Sequence, residues 1–296
     1  MAAPQPQSQS SFASISFSWT DRLRFVQFPP AIIAPLTDRI RASWPPGIQA
    51  QQAHAQHAHA HAHEYKLRGA PFGGSAGGEG GAVGGCRLVR DVLAFLHARG
   101  WVLVAPVGHG RAASSKDSLV FRQRRRAAAA VVEGGERGGV VGEGMVVVVV
   151  PPPLEWLVVA PGGTDRLRVI SDGPTTPREA AAAPSSTKER DHDELGVLVQ
   201  ALRRAFAAVD YFQSGEWSVD SYEFKLKGYP WSAATGEKSV KAERLLLAVV
   251  ETLDRFGWRS YATVTQRSGS DAAKKADTWY FVREEGWVPG SPFNGQ

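Results

Sequence analysis

Basic side chains recur at two-residue spacing along this chain of 296 residues. Arg22 and Arg24 sit in TDRLR, Lys66 and Arg68 in EYKLRGAPF, Arg166 and Arg168 in a second TDRLR, and Lys225 and Lys227 in EFKLKGYPW. A period of two is the period of a β-strand, so each pair projects from one face while Leu23 and Phe25, Tyr65 and Leu67, Leu167 and Val169, or Phe224 and Leu226 fill the other. These eight basic residues form the candidate anion or partner surface. Guanidinium and ammonium groups on an open sheet hold phosphates by charge-assisted contacts. With aromatic side chains added, such a sheet is a platform for single-stranded nucleic acid. Glu64 and Glu223 flank the lysines and support a plainer alternative: a solvated face whose charges pair with one another.

Other chemistries are weaker. His57, His59, His61 and His63 alternate with Ala and share a face when extended, which suits adventitious binding of a divalent metal. A structural site also needs fixed geometry and partners behind the ligands, so no metal site is expected. The stretch Gly228–Lys238 joins a strand to a helix, where phosphate loops occur, but Glu237 breaks the GK[ST] ending. Its counterpart Gly69–Gly85 contains no Lys. Cys86 aligns with Glu243 and His97 with Asp254, so neither keeps its chemistry across the copies, and His109 and His192 fall in or near expected loops without an obvious Cys or Ser partner. Arg124-Arg125-Arg126 is too short to be a specific address. No catalytic residue and no cofactor is expected, and the balance leans away from an enzyme.

The elements that carry these residues repeat in order. TDRLR, the KLxGxP strand motif, Gly100-Trp101 and Asp117–Phe121 return as TDRLR, KLKGYPW, Gly257-Trp258 and Asp277–Phe281. Four landmarks in one order mean a duplicated module. Strands are expected at Phe12–Ser18 and Arg22–Phe28, matched by Trp156–Ala160 and Arg166–Ser171. Helical spacing follows at Leu36, Ile40 and Trp44, and at Leu195, Leu198, Leu202, Phe206 and Val209. The KLxGxP strand comes next. A second helix is marked by Leu88, Val92, Leu93 and Leu96, or by Leu245, Leu246, Val249, Val250 and Leu253. Gly100 and Gly257 suit left-handed C-terminal caps, and two strands close each copy. The expected fold is α+β: two tandem ββαβαββ modules, each a mixed sheet with two helices on one face, leaving the basic face of each module open.

The expected boundaries are a flexible N-terminus at 1–11, module one at 12–126, a linker at 127–145 and module two at 146–290. Low-complexity inserts are expected at 50–63, 73–85 and 173–193. Net charge is +5, with nine Trp and one Cys. A lone Cys excludes an intrachain disulfide framework. The N-terminus lacks the basic and apolar regions of a secretory signal, and no apolar run approaches the roughly 20 residues of a membrane span. An intracellular location, cytoplasmic or nuclear, is expected.

EFKLKGYPW, the Leu-rich helix, GWRSYATVTQRS and DTWYFV resemble a duplicated module of an uncharacterised fungal protein family. The first copy carries the same landmarks as EYKLRGAPF, GWVLVAP and DSLVF, with Phe72 in place of Trp231 and Ala70 in place of Tyr229. The resemblance implies an intracellular globular protein and brings no catalytic residue with it. The expected function is a non-enzymatic binding or scaffold protein with a protein partner. A nucleic-acid binder using the basic faces, and an enzyme with a site between the modules, are the alternatives.

Overall fold

The chain, a computed structural model, is described here over residues 11–54, 62–73, 78–107, 115–127, 146–171, 185–218, 221–232, 236–267 and 275–290. In the first copy β1 (Phe12–Ser18), β2 (Arg22–Val26), β3 (Ile48–His54), β4 (Ala62–Leu67), β5 (Trp101–Val107) and β6 (Ser115–Gln123) make one sheet in the order β3-β4-β2-β1-β6-β5. Helices α1 (Pro30–Ser43) and α2 (Gly78–His97) lie on one of its faces. A short ladder of β7 (Arg125–Ala127) and β8 (Val146–Val148) brackets the junction between the copies. The second copy repeats the plan with β9 (Leu154–Gly162), β10 (Arg166–Ile170), α3 (Ser185–Ala208), β11 (Phe212–Ser218), β12 (Ser221–Leu226), α4 (Glu237–Arg255), β13 (Arg259–Arg267) and β14 (Lys275–Glu284). Its sheet runs β11-β12-β10-β9-β14-β13, the same order.

The α+β class, the tandem duplication and the two helices on one face of each sheet are as expected. Two features differ. Each copy has one strand more, β3 or β11, inserted after its first helix, so the order is ββαββαββ. The sheets are antiparallel throughout rather than mixed. The extra strand arises within sequence that reads as a polar insert: Ala50–His54 lies in β3, and Ala62 and His63 open β4. Backbone pairing at a sheet edge needs no apolar side chains, so the hydrophobic pattern gives no sign of it. Likewise Gly78–Gly85 forms the first turns of α2, and the helix α3 begins at Ser185, inside the expected insert. His57, His59, His61 and His109 lie outside the described residues.

The two recurring motifs are neighbours. The amide N–H of Leu67 donates to Asp21 O at 2.8 Å and that of Phe72 to Thr20 O at 2.9 Å. In the second copy Leu226 N–H donates to Asp165 O at 2.7 Å and Trp231 N–H to Thr164 O at 3.3 Å. The KLxGxP strand thus closes against the TDRLR turn, with Gly69 (φ 74°) and Gly228 (φ 69°) making the left-handed bend that L residues avoid. Phe72 is fully buried, and the Trp231 indole donates to Arg166 O. Gly100 and Gly257 both have φ of 78°, as their cap positions require.

One core cluster fills the space between sheet one, α1 and α2 and continues into Trp156, Val158, Ala160, Ile170, Ala262, Val264, Tyr280 and Val282 of the second sheet. A separate cluster joins the other face of that sheet to α3 and α4. The layers therefore run sheet one, α2, sheet two, α3 with α4. Sheet two is covered on both faces.

Candidate functional site

The layering decides the fate of the basic strands. Register pairs Arg22 with Lys66 and Arg24 with Glu64, so all four side chains share the face of sheet one turned away from its helices. Arg22 Nη1 donates to Glu64 Oε1 at 2.5 Å, while Arg24 Nε and Nη2 donate to Oε2 at 3.0 and 2.7 Å. The second copy reproduces this triad: Arg166 and Arg168 both bind Glu223. Burial pushes the Glu64 carboxyl up, but the hydrogen bonds and charges of Arg24 and Arg22 outweigh it and hold the group below its ordinary value of 4.5. In the second copy, bonding to Glu223 raises Arg166. Each arginine pair thus spends one charge on a carboxylate that is itself buried. Glu64 and Glu223 belong to the site, and their place two residues before the lysine of the same strand was the signal.

The remaining candidates scatter. Lys66 and Lys225 are half-buried on the same faces as the triads. Arg68 and Lys227 lie exposed just past the ends of β4 and β12, and Lys227 pairs with Asp210 at 2.6 Å. Arg124 is tied into the junction, its N–H donating to Gly100 O at 2.7 Å.

The expectation of an open basic face in both copies holds only in part for copy two, where Arg166 keeps 42% exposure but the rest of the face is covered. That face of β9 and β14 carries Trp156, Val158, Ala160, Tyr280 and Val282, all buried against copy one. Arg168 is 19% exposed where Arg24 is 44% exposed. The sequence carried this signal in WLVVA (Trp156–Ala160), a continuous apolar run typical of a strand covered on both sides. Its counterpart in copy one, Phe12–Ser16, alternates Phe, Ala, Ser, Ile, Ser, and that face is open. Along the open face run Phe12, Ser14, Ser16, Arg22, Arg24, Lys66, Val120 and Arg122.

The helix that fills the space between the sheets is α2. Arg90, 1% exposed, donates from Nε and Nη2 to Asp91 Oδ1 at 2.9 and 2.8 Å and from Nη1 to Ser171 O at 2.7 Å. Cys86 lies against Thr278, and burial pushes its thiol up to about 11, which suppresses the thiolate that nucleophilic chemistry needs. Tyr261 packs edge-on against the His97 ring at 6.0 Å and accepts from Leu103 N–H across the copies, and burial raises its hydroxyl to about 12.

Beside α2 lies a groove of about 690 Å³ lined by α1, the last turns of α2, Val150–Leu154 and Trp156. Its titratable residues (Asp38, Arg39, Asp91, His97 and Arg99) all come from copy one. His97 Nε2 donates to Pro152 O at 3.2 Å, because a carbonyl only accepts, so the neutral ring carries its lone pair on Nδ1. That Nδ1 and Asp91 Oδ2 are both sealed from solvent without a partner. Among the described residues no group of three or more His, Cys, Asp or Glu is placed to hold a metal ion.

One family model matches the chain twice, over residues 11–122 and 155–282. The chain belongs to that domain family. The matched segments coincide with the two sheet-and-helix copies of this chain. No curated protein matches the chain. Among solved structures, the crystal structure of a conserved kinetoplastid-specific protein from Trypanosoma cruzi is similar to it, at 13% identity over 45% of this chain and 97% of that one, with a TM-score of 0.27. Among the described residues no helix is long and apolar enough to cross a membrane.

Proposed function

We propose that the chain is a non-enzymatic binding protein which docks a helix of an acidic protein partner on the open sheet face of its first copy. One observation supports this reading above the rest: the same face of the second copy is already seated on a helix, α2. The family's sheet is therefore competent to receive a helix there, and in copy one that face is exposed. Arg22, Arg24, Lys66 and Arg122 make it basic even after Glu64 is counted, which selects for an acidic partner. An intracellular setting, cytoplasmic or nuclear, and a place among the fungal proteins with this duplicated module belong to the same proposal.

A second reading, single-stranded nucleic acid, is favoured by two exposed aromatic residues at the ends of β1, Phe12 and Trp19, at 45% and 63% exposure. Titrating the full chain with an acidic amphipathic helical peptide and, separately, with an oligothymidine separates the two. The expected result is peptide binding that weakens with salt and is lost in Lys66→Glu/Arg122→Glu. Oligothymidine binding in place of peptide binding transfers the face to nucleic acid, and failure of both probes at low salt overturns the docking reading.

A further inference from the structure

We propose that the outer face of α4 seats on the open sheet face of a second copy of this chain, so that chains associate head to tail. This names the partner for the docking face and rests on that reading.

The argument comes from the contact inside the chain. Aligning Gly100 with Gly257 makes α2 and α4 equivalent turn for turn. Val89, Arg90 and Leu93 of α2 are buried and Val83 packs partly buried on the core that Trp156, Val158, Tyr280 and Val282 of sheet two share, with Arg90 reaching Ser171 O and Cys86 meeting Thr278. Their equivalents on α4 are Leu246, Leu247, Val250 and Val240, at 39, 57, 44 and 57% exposure. The apolar residues of α4 that face solvent therefore occupy the positions that a covering sheet buries on α2. An exposed apolar stripe of this kind marks an interface.

The equivalent sheet surface is the open face of copy one, and the pairings transfer onto it. Arg168 lies near enough to Cys86 to act on its thiol electrostatically. The equivalent residues are Arg24 and Glu243, an ion pair in place of a neutral contact. Arg90 acts in the same way on the Tyr280 hydroxyl. The equivalents there are Leu247 and Val120, two apolar side chains. Across the whole contact, Glu243, Glu251 and Asp254 of α4 face a surface bearing Arg22, Arg24, Lys66 and Arg122, with Arg244 on the helix and the arginine-bound Glu64 on the sheet as the opposing charges. Charge complementarity and apolar matching thus agree. Ser14 and Ser16 replace Val158 and Ala160, so the contact between chains buries less apolar surface than the one within the chain and forms only at raised concentration. A helix face meeting a sheet face is heterologous, and it propagates rather than stopping at a dimer unless the geometry closes.

Sedimentation velocity of the full chain over a concentration series in low salt tests this. The expected weight-average sedimentation coefficient rises past the dimer and falls back with salt. Leu247→Glu and Val120→Glu, each checked for a wild-type thermal transition, are expected to be monomeric alone and to form a single heterodimer when mixed, because each supplies the face the other lacks. Glu251→Arg and Ser16→Arg, both at solvent-accessible positions, give the same pattern if either first variant fails to fold. A wild-type chain that stays monomeric throughout, a self-limited dimer, or monomeric variants that do not complement overturns the proposal. Continued binding of the acidic helical peptide by such a monomer confines the failure to self-association, whereas loss of both removes the docking face itself.

Discussion

Arg90, on the second helix of the first copy, donates a 2.7 Å hydrogen bond to the carbonyl of Ser171 in the second copy. The same guanidinium holds Asp91. A charged pair at the centre of the layered core therefore links both copies, and its surroundings leave little room for either charge to be lost alone.

Breaking that pair tests the link. Arg90→Met leaves the Asp91 carboxylate buried without its counter-charge, at a cost of about 3–5 kcal/mol. Replacing both residues by the pair that copy two carries at these positions, Arg90→Leu with Asp91→Ala, removes both charges and recovers much of the loss. Urea denaturation followed by Trp fluorescence measures it; equal destabilisation of the single and double variants argues against a paired role.

Separating the copies is a second test. The 146–296 segment alone uncovers Trp156, Val158, Tyr280 and Val282, which are at most 3% exposed in the chain. It is expected to bind a hydrophobic dye and to elute as aggregates on gel filtration. A monodisperse, cooperatively unfolding fragment contradicts the continuity of the shared core.

The triads set a pH dependence. Glu64 has its carboxyl lowered in the folded chain, so the unfolded chain binds more protons in the window below the ordinary value of 4.5. The stability it contributes is present above that value and disappears as pH falls through the lower, folded one. Glu64→Gln is expected to cost about 1–3 kcal/mol at neutral pH, from the lost charge-assisted hydrogen bonds, and to flatten the acid limb. Stripping Arg166, Arg168, Lys225 and Lys227 to Ser strands Glu223 in its buried position, so that variant should lose stability rather than behave as a harmless surface change. Urea midpoints between neutral pH and pH 3 read both effects.

His97 acts in the same direction at higher pH. Burial lowers its pKa from 6.5, against the bond to the Pro152 carbonyl. The folded chain therefore resists protonation, and stability falls as pH drops below about 6.5. His97→Gln should remove that slope while keeping a donor for Pro152 O; an unchanged slope would show that another group causes it.

Gly100 and Gly257 probe the caps. A Cβ at Gly100 would lie 2.8 Å from Val148 Cγ1 and 2.9 Å from Val149 O, and one at Gly257 would lie 2.5 Å from the Trp287 ring. Alanine at either site adds left-handed strain to that clash, at about 1–3 kcal/mol, and differential scanning calorimetry should register the lower Tm.

Much of the fold is determined by local sequence. Alternation in FASISFS and RLRFV makes strands, the spacing of Leu36 and Ile40 or Leu198 and Leu202 makes helices, and the left-handed glycines place the turns, because each depends on residues close in the chain. Duplication follows from comparing the chain with itself. The Arg–Arg–Glu triads were partly legible, since Glu64 and Glu223 stand two residues from the lysines in the same strands. The extra edge strands were not, because backbone pairing at an edge leaves no apolar pattern in the Ala, Gln and His of β3. The apolar run WLVVA marked a strand covered on both sides, but it could not tell which element would cover it. Tertiary structure alone decided that α2 lies between two sheets while α4, its duplicate, turns Leu247 and Val250 to solvent. The physical reason is that burial depends on what the rest of the chain brings to a face, and equivalent sequences at the two ends of a stack meet different neighbours.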